Sequence, residues 1–354
     1  MTRYRAVVAL AAGWLLAGCG AGANTQQAAP TASVNDSSAA PASNKPSDNA
    51  FAGLPAGWRW ESYRDVVIGV PATWGYENGS QRTGQWCIGD NPKPAAIGRP
   101  GASTAAGCPA PAPGEPPPGT LIAVVGEFVA FDPAGDPAGA QSGSAAGART
   151  EGDRTTIRVG SVGIAVQAEA GLREQIVSTA RQVDVDHNGC PSLDPISIDP
   201  GSRPDNPVAA GSLRAVQRVS ACRYALRSDF ITLPPGPTLI SSLQLAGDQA
   251  AAVITGIAAA PAGSGPNSPD SCSTEVRYGD EVIVLRVTAE AGESQIYLRF
   301  SGCDHHGYDD GADVRTLTRA VVTQLIKDSN TPLSWGMEVG DVLGHDIPAA
   351  TAAP

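Results

Sequence analysis

Lysine is nearly missing from this 354-residue chain: Lys45, Lys93 and Lys327 are the only three, beside 21 arginines. That bias, with abundant Ala, Gly and Pro, follows the codon pressure of a high-GC genome and is not a binding signal. Acidic residues outnumber basic ones by 35 to 24, a net charge of −11. An acidic balance of this size argues against nucleic acid and an anionic lipid surface as electrostatic partners. Histidine is scarce too, limited to His187, His305, His306 and His345. The chain has no G-x-S-x-G elbow, Walker loop, dinucleotide fingerprint or H-E-x-x-H. It has no Cys-x-x-Cys either, so the usual spacing of a zinc site is missing. The apolar run from Ala6 to Ala17 is too short to cross a bilayer as a helix.

What that run does have is the charge, length and small-residue exit of a secretory signal. Arg3 and Arg5 precede it, and Leu16-Ala17-Gly18-Cys19 closes it. These four residues resemble a bacterial lipobox. The resemblance implies that residues 1–18 are removed, and that Cys19 becomes a diacylated (palmitate-type) N-terminus at the cell membrane, on its extracytoplasmic face. Loss of Arg3 and Arg5 would leave 22 basic and 35 acidic residues, a net charge of −13. Residues 19–50 are Ala, Ser, Asn, Thr, Gln and Pro with almost no large apolar side chain. Such a segment cannot bury enough surface to order itself and is expected to be a tether with a reach of roughly 30 Å.

Export fits the cysteines. Without Cys19, an even set remains: Cys87, Cys108, Cys190, Cys222, Cys272 and Cys303. Outside the cytoplasm such a set reads as disulfides. Sequence does not choose among the possible pairings. Nearest-neighbour pairing is expected here because it keeps every bridge inside one domain. Closing loops of that length stabilises each domain by roughly 3 kcal/mol in the chain-entropy model.

The remaining length favours two α+β domains, residues 51–186 and 187–329, followed by a flexible tail from 330 to 354. In the first, Trp58 to Tyr63 alternates aromatic and polar residues as a half-buried strand does. Val66 to Val70 follows as a hairpin partner ending at Pro71. Further strands are expected over Leu121 to Phe131 and Thr156 to Ala168, the latter a hairpin broken at Gly160. Leu172, Ile176, Ala180 and Val183 recur at helical spacing. Asn91–Gly119 and Pro133–Asp153 read as surface insertions. In the second domain, Cys222 to Leu226, Glu275 to Tyr278, Glu281 to Thr288 and Gln295 to Ser301 read as strands. A helix runs from Asp248 to Ala259 and stops at Pro261. A last helix is expected with Val314, Leu317, Val321 and Leu325 on one face. Each domain is thus a mainly antiparallel sheet with a closing amphipathic helix, braced by disulfides. The order of the first elements, with Val70-Pro71-x-x-Trp74, resembles the PsbP/Mog1-like α+β sandwich. The whole chain is similar to uncharacterised surface lipoproteins of high-GC Gram-positive bacteria.

Three places can carry chemistry. Cys303-Asp-His-His-Gly-Tyr-Asp-Asp-Gly-Ala-Asp313 gathers imidazoles and carboxylates of the kind that hold a metal. Adjacent residues point apart on an extended chain, so His305 and His306 need a turn to act together. The preferred reading is a polar loop whose aspartates sit near the start of the Val314 helix. Asp184-Val-Asp186-His-Asn188-Gly189 matches the first half of a calcium loop, but Pro195 stands where the closing glutamate belongs. Trp58, Trp60, Trp74 and Trp86, with Tyr63 and Tyr76, form either a glycan-stacking face or the first core, and the core is preferred. No cofactor, metal or catalytic residue is expected. The function expected is a non-enzymatic binding or adaptor role in the cell envelope, held through lipid on Cys19, with an envelope protein or glycan as ligand. The alternative is an envelope hydrolase using dispersed carboxylates or the His305/His306 loop.

Overall fold

A computed structural model describes residues 51–77, 95–99, 126–132, 148–226, 236–274, 277–331, 340 and 342. Cys19, Cys87, Cys108, Trp86 and His345 lie outside them, as do the expected signal and tether and most of the tail. The protein is α+β, with three sheets and three α-helices among the described residues. No described helix is long and apolar enough to cross a membrane.

The chain enters the fold through an antiparallel hairpin, β1 (Trp58–Tyr63) and β2 (Val66–Pro71). Arg64 adopts φ +55° in its two-residue turn. Asp65 locks that turn by accepting from Ser161 Oγ at 3.2 Å and Gln182 Nε2 at 2.6 Å. The strands β3 (Gly75–Glu77), β4 (Ala96–Gly98), β5 (Phe128–Asp132), β6 (Arg149–Glu151), β7 (Arg154–Val159) and β8 (Val162–Gln167) build a second sheet. Its order is β3-β4-β5-β8-β7-β6, parallel across β3-β4-β5 and antiparallel elsewhere. The hairpin β7–β8 turns at Gly160, whose φ of +55° places it in the left-handed region that favours glycine. Strands β4 and β6 correct the reading of both insertions as plain surface loops. Ile97 is buried in the core, and Thr150 Oγ1 lies 2.9 Å from Thr155 Oγ1 across the β6–β7 pair.

Helix α1 (Ala170–Thr179) follows, and it ends earlier than its apolar spacing suggests. Thr179 Oγ1 accepts the Gly69 amide at 2.7 Å, and the next residues, Arg181–Gln182, form β9 beside β2. Ala180 and Val183 therefore lie past the helix. The side chains of Tyr63, Val66, Ile68, Val70, Trp74, Ile97, Val129, Phe131, Ile164 and Ile176 form one core.

The third sheet has the order β11-β10-β12-β13-β14-β15, antiparallel throughout. Its strands are β10 (Arg218–Ala225), β11 (Leu239–Ala246), β12 (Glu281–Ala289), β13 (Gly292–Arg299), β14 (Gly307–Asp309) and β15 (Val314–Arg315). Both faces of β12 are covered, which explains its nearly unbroken apolar run. Ile283, Leu285 and Val287 face the core under α2 (Gly247–Ala259), while Val282 and Val284 meet Tyr224 and Tyr297 on the other side. Helix α2 buries Ala250, Val253, Ile254 and Ile257, a spacing of one apolar stripe, with Asp248 in its first turn. The last helix, α3 (Arg319–Leu325), is shorter than expected. Val314 belongs to a strand, and the Asp310 carboxylate accepts the amides of Ala312 (3.0 Å) and Asp313 (2.7 Å) in the turn between β14 and β15.

Two disulfides lie among the described residues, Cys190–Cys222 and Cys272–Cys303, each with a Cα–Cα distance of 5.5 Å. Both are nearest-neighbour pairs. The segments before and after residue 187 belong to one compact unit, Asn44–Pro354. Ala225 and Ile240 of the third sheet join the core of the first two, and the Arg64 amide donates to the Leu239 carbonyl at 2.6 Å.

Candidate functional site

Polar side chains concentrate where β1, the turn after β9 and β11 meet. Asp186, 1% exposed, is the centre of this seam. Its Oδ1 accepts the amides of Asn188 (3.0 Å) and Cys190 (2.8 Å), which folds Asp186–Cys190 into a tight turn. Its Oδ2 accepts the hydroxyls of Ser62 (2.7 Å) and Ser242. Asn188 Nδ2 donates to Ser242 Oγ at 2.9 Å, and Ser220 Oγ donates to the Asn188 carbonyl. The half calcium motif is thus used for structure. Asp184 is exposed and outside this network, and its carbonyl accepts the Ser192 amide. Among the described residues no group of three or more His, Cys, Asp or Glu is placed to hold a metal ion.

Next to Asp186 on β1 stands Glu61, 3% exposed. Arg59 and Glu61 are two apart on a strand, so they share a face. Glu61 Oε1 accepts from Arg59 Nε at 2.6 Å and Tyr76 Oη at 2.8 Å, while Arg99 donates to Oε2. Other guanidinium donors reach backbone carbonyls. Arg59 Nη2 donates to the Trp74 carbonyl at 2.6 Å, and Arg99 Nε to the Ser62 carbonyl at 3.0 Å. The Arg59 guanidinium lies 5.0 Å from the Tyr76 ring centroid, within cation–π range. Burial pushes the Glu61 carboxyl up, but Arg99 and Arg59 outweigh it and hold it below the ordinary carboxylate value. Burial and the Glu61 charge together push the Tyr76 hydroxyl well up, so it stays a donor.

His187 borders both groups. Its Nδ1 is buried, has no hydrogen-bond partner among the described residues, and stands 4.0 Å from Asp186 Oδ2. Burial holds this imidazole below the ordinary histidine value, against the opposing pull of Asp186 and Glu61 and together with Arg99. Ser62, Asp186 and His187 are the residue types of a nucleophilic triad, yet the order is wrong for one. Both Ser62 and Ser242 donate into the carboxylate, and Ser62 is 1% exposed. The arrangement satisfies an anion and joins three strands.

The His305/His306 loop divides. His305 stacks on Tyr278 with centroids 4.8 Å apart, at φ +59°, and is half-exposed. His306 is fully buried. Its amide donates to Asn267 Oδ1 at 3.0 Å, its Nδ1 donates to the Pro266 carbonyl, and its Nε2 has no partner among the described residues. The nearby carboxylates are committed. Arg203 grips Asp309 through Nε at 2.9 Å and Nη2 at 2.6 Å, and Asp310 accepts the Ala210 amide at 2.7 Å.

The aromatic cluster belongs mainly to the core. Trp74 is buried, Trp58 packs at the core margin, and Trp60 lies beneath Arg181, 4.3 Å from its guanidinium. Sequence reading missed Glu61 with Arg59 and Arg99; the Arg-x-Glu spacing on β1 was the available signal. Comparison with protein-family models, curated proteins and solved structures yields no match to this chain.

Proposed function

We propose that the chain is a lipid-anchored extracytoplasmic protein that binds a protein or glycan of the cell envelope and catalyses no reaction. The observation that carries this reading is the succession of Arg3 and Arg5, an apolar run, Leu16-Ala17-Gly18-Cys19 and a polar tether. Two disulfides suit an oxidising compartment. The acidic charge keeps a tethered body soluble and turns nucleic acid away. Residues 51–186 and 187–329 are read as two α+β units, the second braced by Cys190–Cys222 and Cys272–Cys303, with Asp186 at their junction. The His305/His306 alternative loses support, because one imidazole is buried against Pro266 and the other stacks on Tyr278.

Anchoring is tested by Cys19→Ala in the producing cell. The wild-type chain is expected in the membrane fraction, with a lipid-modified N-terminal peptide by mass spectrometry. Cys19→Ala is expected to shift nearly all of the protein to the soluble fraction. Retention of Cys19→Ala in the membrane, or an unlipidated Cys19 in the wild type, would contradict the reading.

A further inference from the structure

Phe51, ahead of β1, is fastened by Trp60, His187 and Arg181. Its carbonyl accepts Trp60 Nε1 at 2.9 Å, and its ring meets Trp60 edge-on with centroids 6.0 Å apart. It meets the His187 imidazole edge-on at 6.2 Å. Arg181 of β9 covers the same cluster, 5.2 Å from the Phe51 ring and 4.3 Å from Trp60.

His187 is the member of this cluster that can change state. Its Nδ1 is buried without a partner among the described residues, an arrangement that suits a neutral ring with its proton on the other nitrogen. Protonation puts a donor on Nδ1 where no acceptor is in reach. Asp186 Oδ2 is 4.0 Å away and already receives Ser62 and Ser242. An imidazolium must shift by about 1 Å to bond it, and that shift resets the edge contact with Phe51. The charged groups acting on the ring are Asp186 on its own segment, Glu61 on β1 and Arg99 after β4. Glu61 is neutralised by the Arg59 and Arg99 guanidinium groups, whereas Asp186 receives only neutral donors and stands 4.0 Å from the ring, so it is the anion the imidazolium turns to.

We propose that His187 is a proton-operated latch on Phe51: the neutral imidazole holds Phe51 against Trp60 of β1, and the imidazolium turns to Asp186 and releases it. Acidification then loosens residues 51–57 while the sheets stay folded.

Hydrogen–deuterium exchange on the full chain, corrected for the intrinsic pH dependence of exchange, tests this. Between pH 7.5 and pH 5, protection of the Trp58 and Ala72 amides, which donate to the Pro55 and Gly57 carbonyls at 3.2 and 2.8 Å, is expected to fall on the order of tenfold, with β12 and β13 unchanged as an internal control. His187→Phe, which keeps a ring and cannot be protonated, should hold its protection at pH 5. Unchanged wild-type protection, or an equal loss in His187→Phe, would overturn the latch. If the variant is open at both pH values, the wild-type midpoint decides. A midpoint below the ordinary histidine value of 6.5 but above the carboxylate value of 4.5 supports the latch. A midpoint at or below that carboxylate value overturns it.

Discussion

Asp186→Ala is expected to destabilise the folded chain by about 4 kcal/mol. The substitution removes the acceptor of four donors at once: the Asn188 and Cys190 amides and the Ser62 and Ser242 hydroxyls. All belong to a seam where Asp186 is 1% exposed, so water does not readily replace the carboxylate. A buried donor left without an acceptor costs about 1–3 kcal/mol, and the hydroxyls recover part of this by rotating. Asp186→Asn keeps one oxygen for the two amides and turns an NH2 group toward the serines, so its loss should be smaller, about 1–2 kcal/mol. Urea unfolding checks both variants. A midpoint shift for Asp186→Ala worth less than about 1 kcal/mol would mean that the seam does not join β1 to β11.

Glu61→Ala is expected to cost about 3–5 kcal/mol, because it leaves the Arg59 and Arg99 charges facing each other across a buried space. Double replacement, Glu61→Leu with Arg99→Met, should recover part of that loss, since it removes one of the two uncompensated charges and leaves only that of Arg59. Recovery would be incomplete because Arg99 Nε also serves the Ser62 carbonyl. The same carboxylate sets an acid limit. Its folded value lies below the unfolded 4.5, so its stabilising contribution is present above that value and is lost as pH falls through the folded one. His187 acts earlier. Its folded value lies below the unfolded 6.5, so the folded state resists protonation and stability declines once pH drops below 6.5. Stability against pH should therefore fall in two stages. Glu61→Gln removes the lower stage and leaves the upper, as thermal unfolding across pH 3–8 would reveal.

What sequence made legible follows from whether a signal was local. Trp58 to Tyr63 alternates, the apolar run Val66 to Val70 follows beyond Arg64-Asp65, and the two form the hairpin β1–β2. Asp248 and Pro261 bracket α2, and the strand runs around Gly292 pair as β12–β13. Strand β11 escaped because Ser241 and Ser242 look like loop residues. They are buried, and their hydroxyls bond Asn330 Oδ1 and Asp186. Val314 and Leu317 have helical spacing, yet Asp310 builds a turn there that outweighs it. The candidate site was less legible than the fold. Asp186 stood out only as half a calcium motif, since its partners Ser62 and Ser242 lie 124 and 56 residues away. Glu61 needs Arg99, which sits in a segment read as a proline-rich loop. Such pairings are set by how sheets stack, and a period along the chain does not carry them.

In-cell crosslinking of the lipidated chain, with Cys19→Ala as control, tests the proposed binding role most directly. Purification and mass spectrometry should recover one envelope protein or glycan at near-stoichiometric yield from the anchored form and little from the released form. Recovery of no ligand from either form, together with hydrolysis of an envelope polymer by the purified chain, would contradict the account.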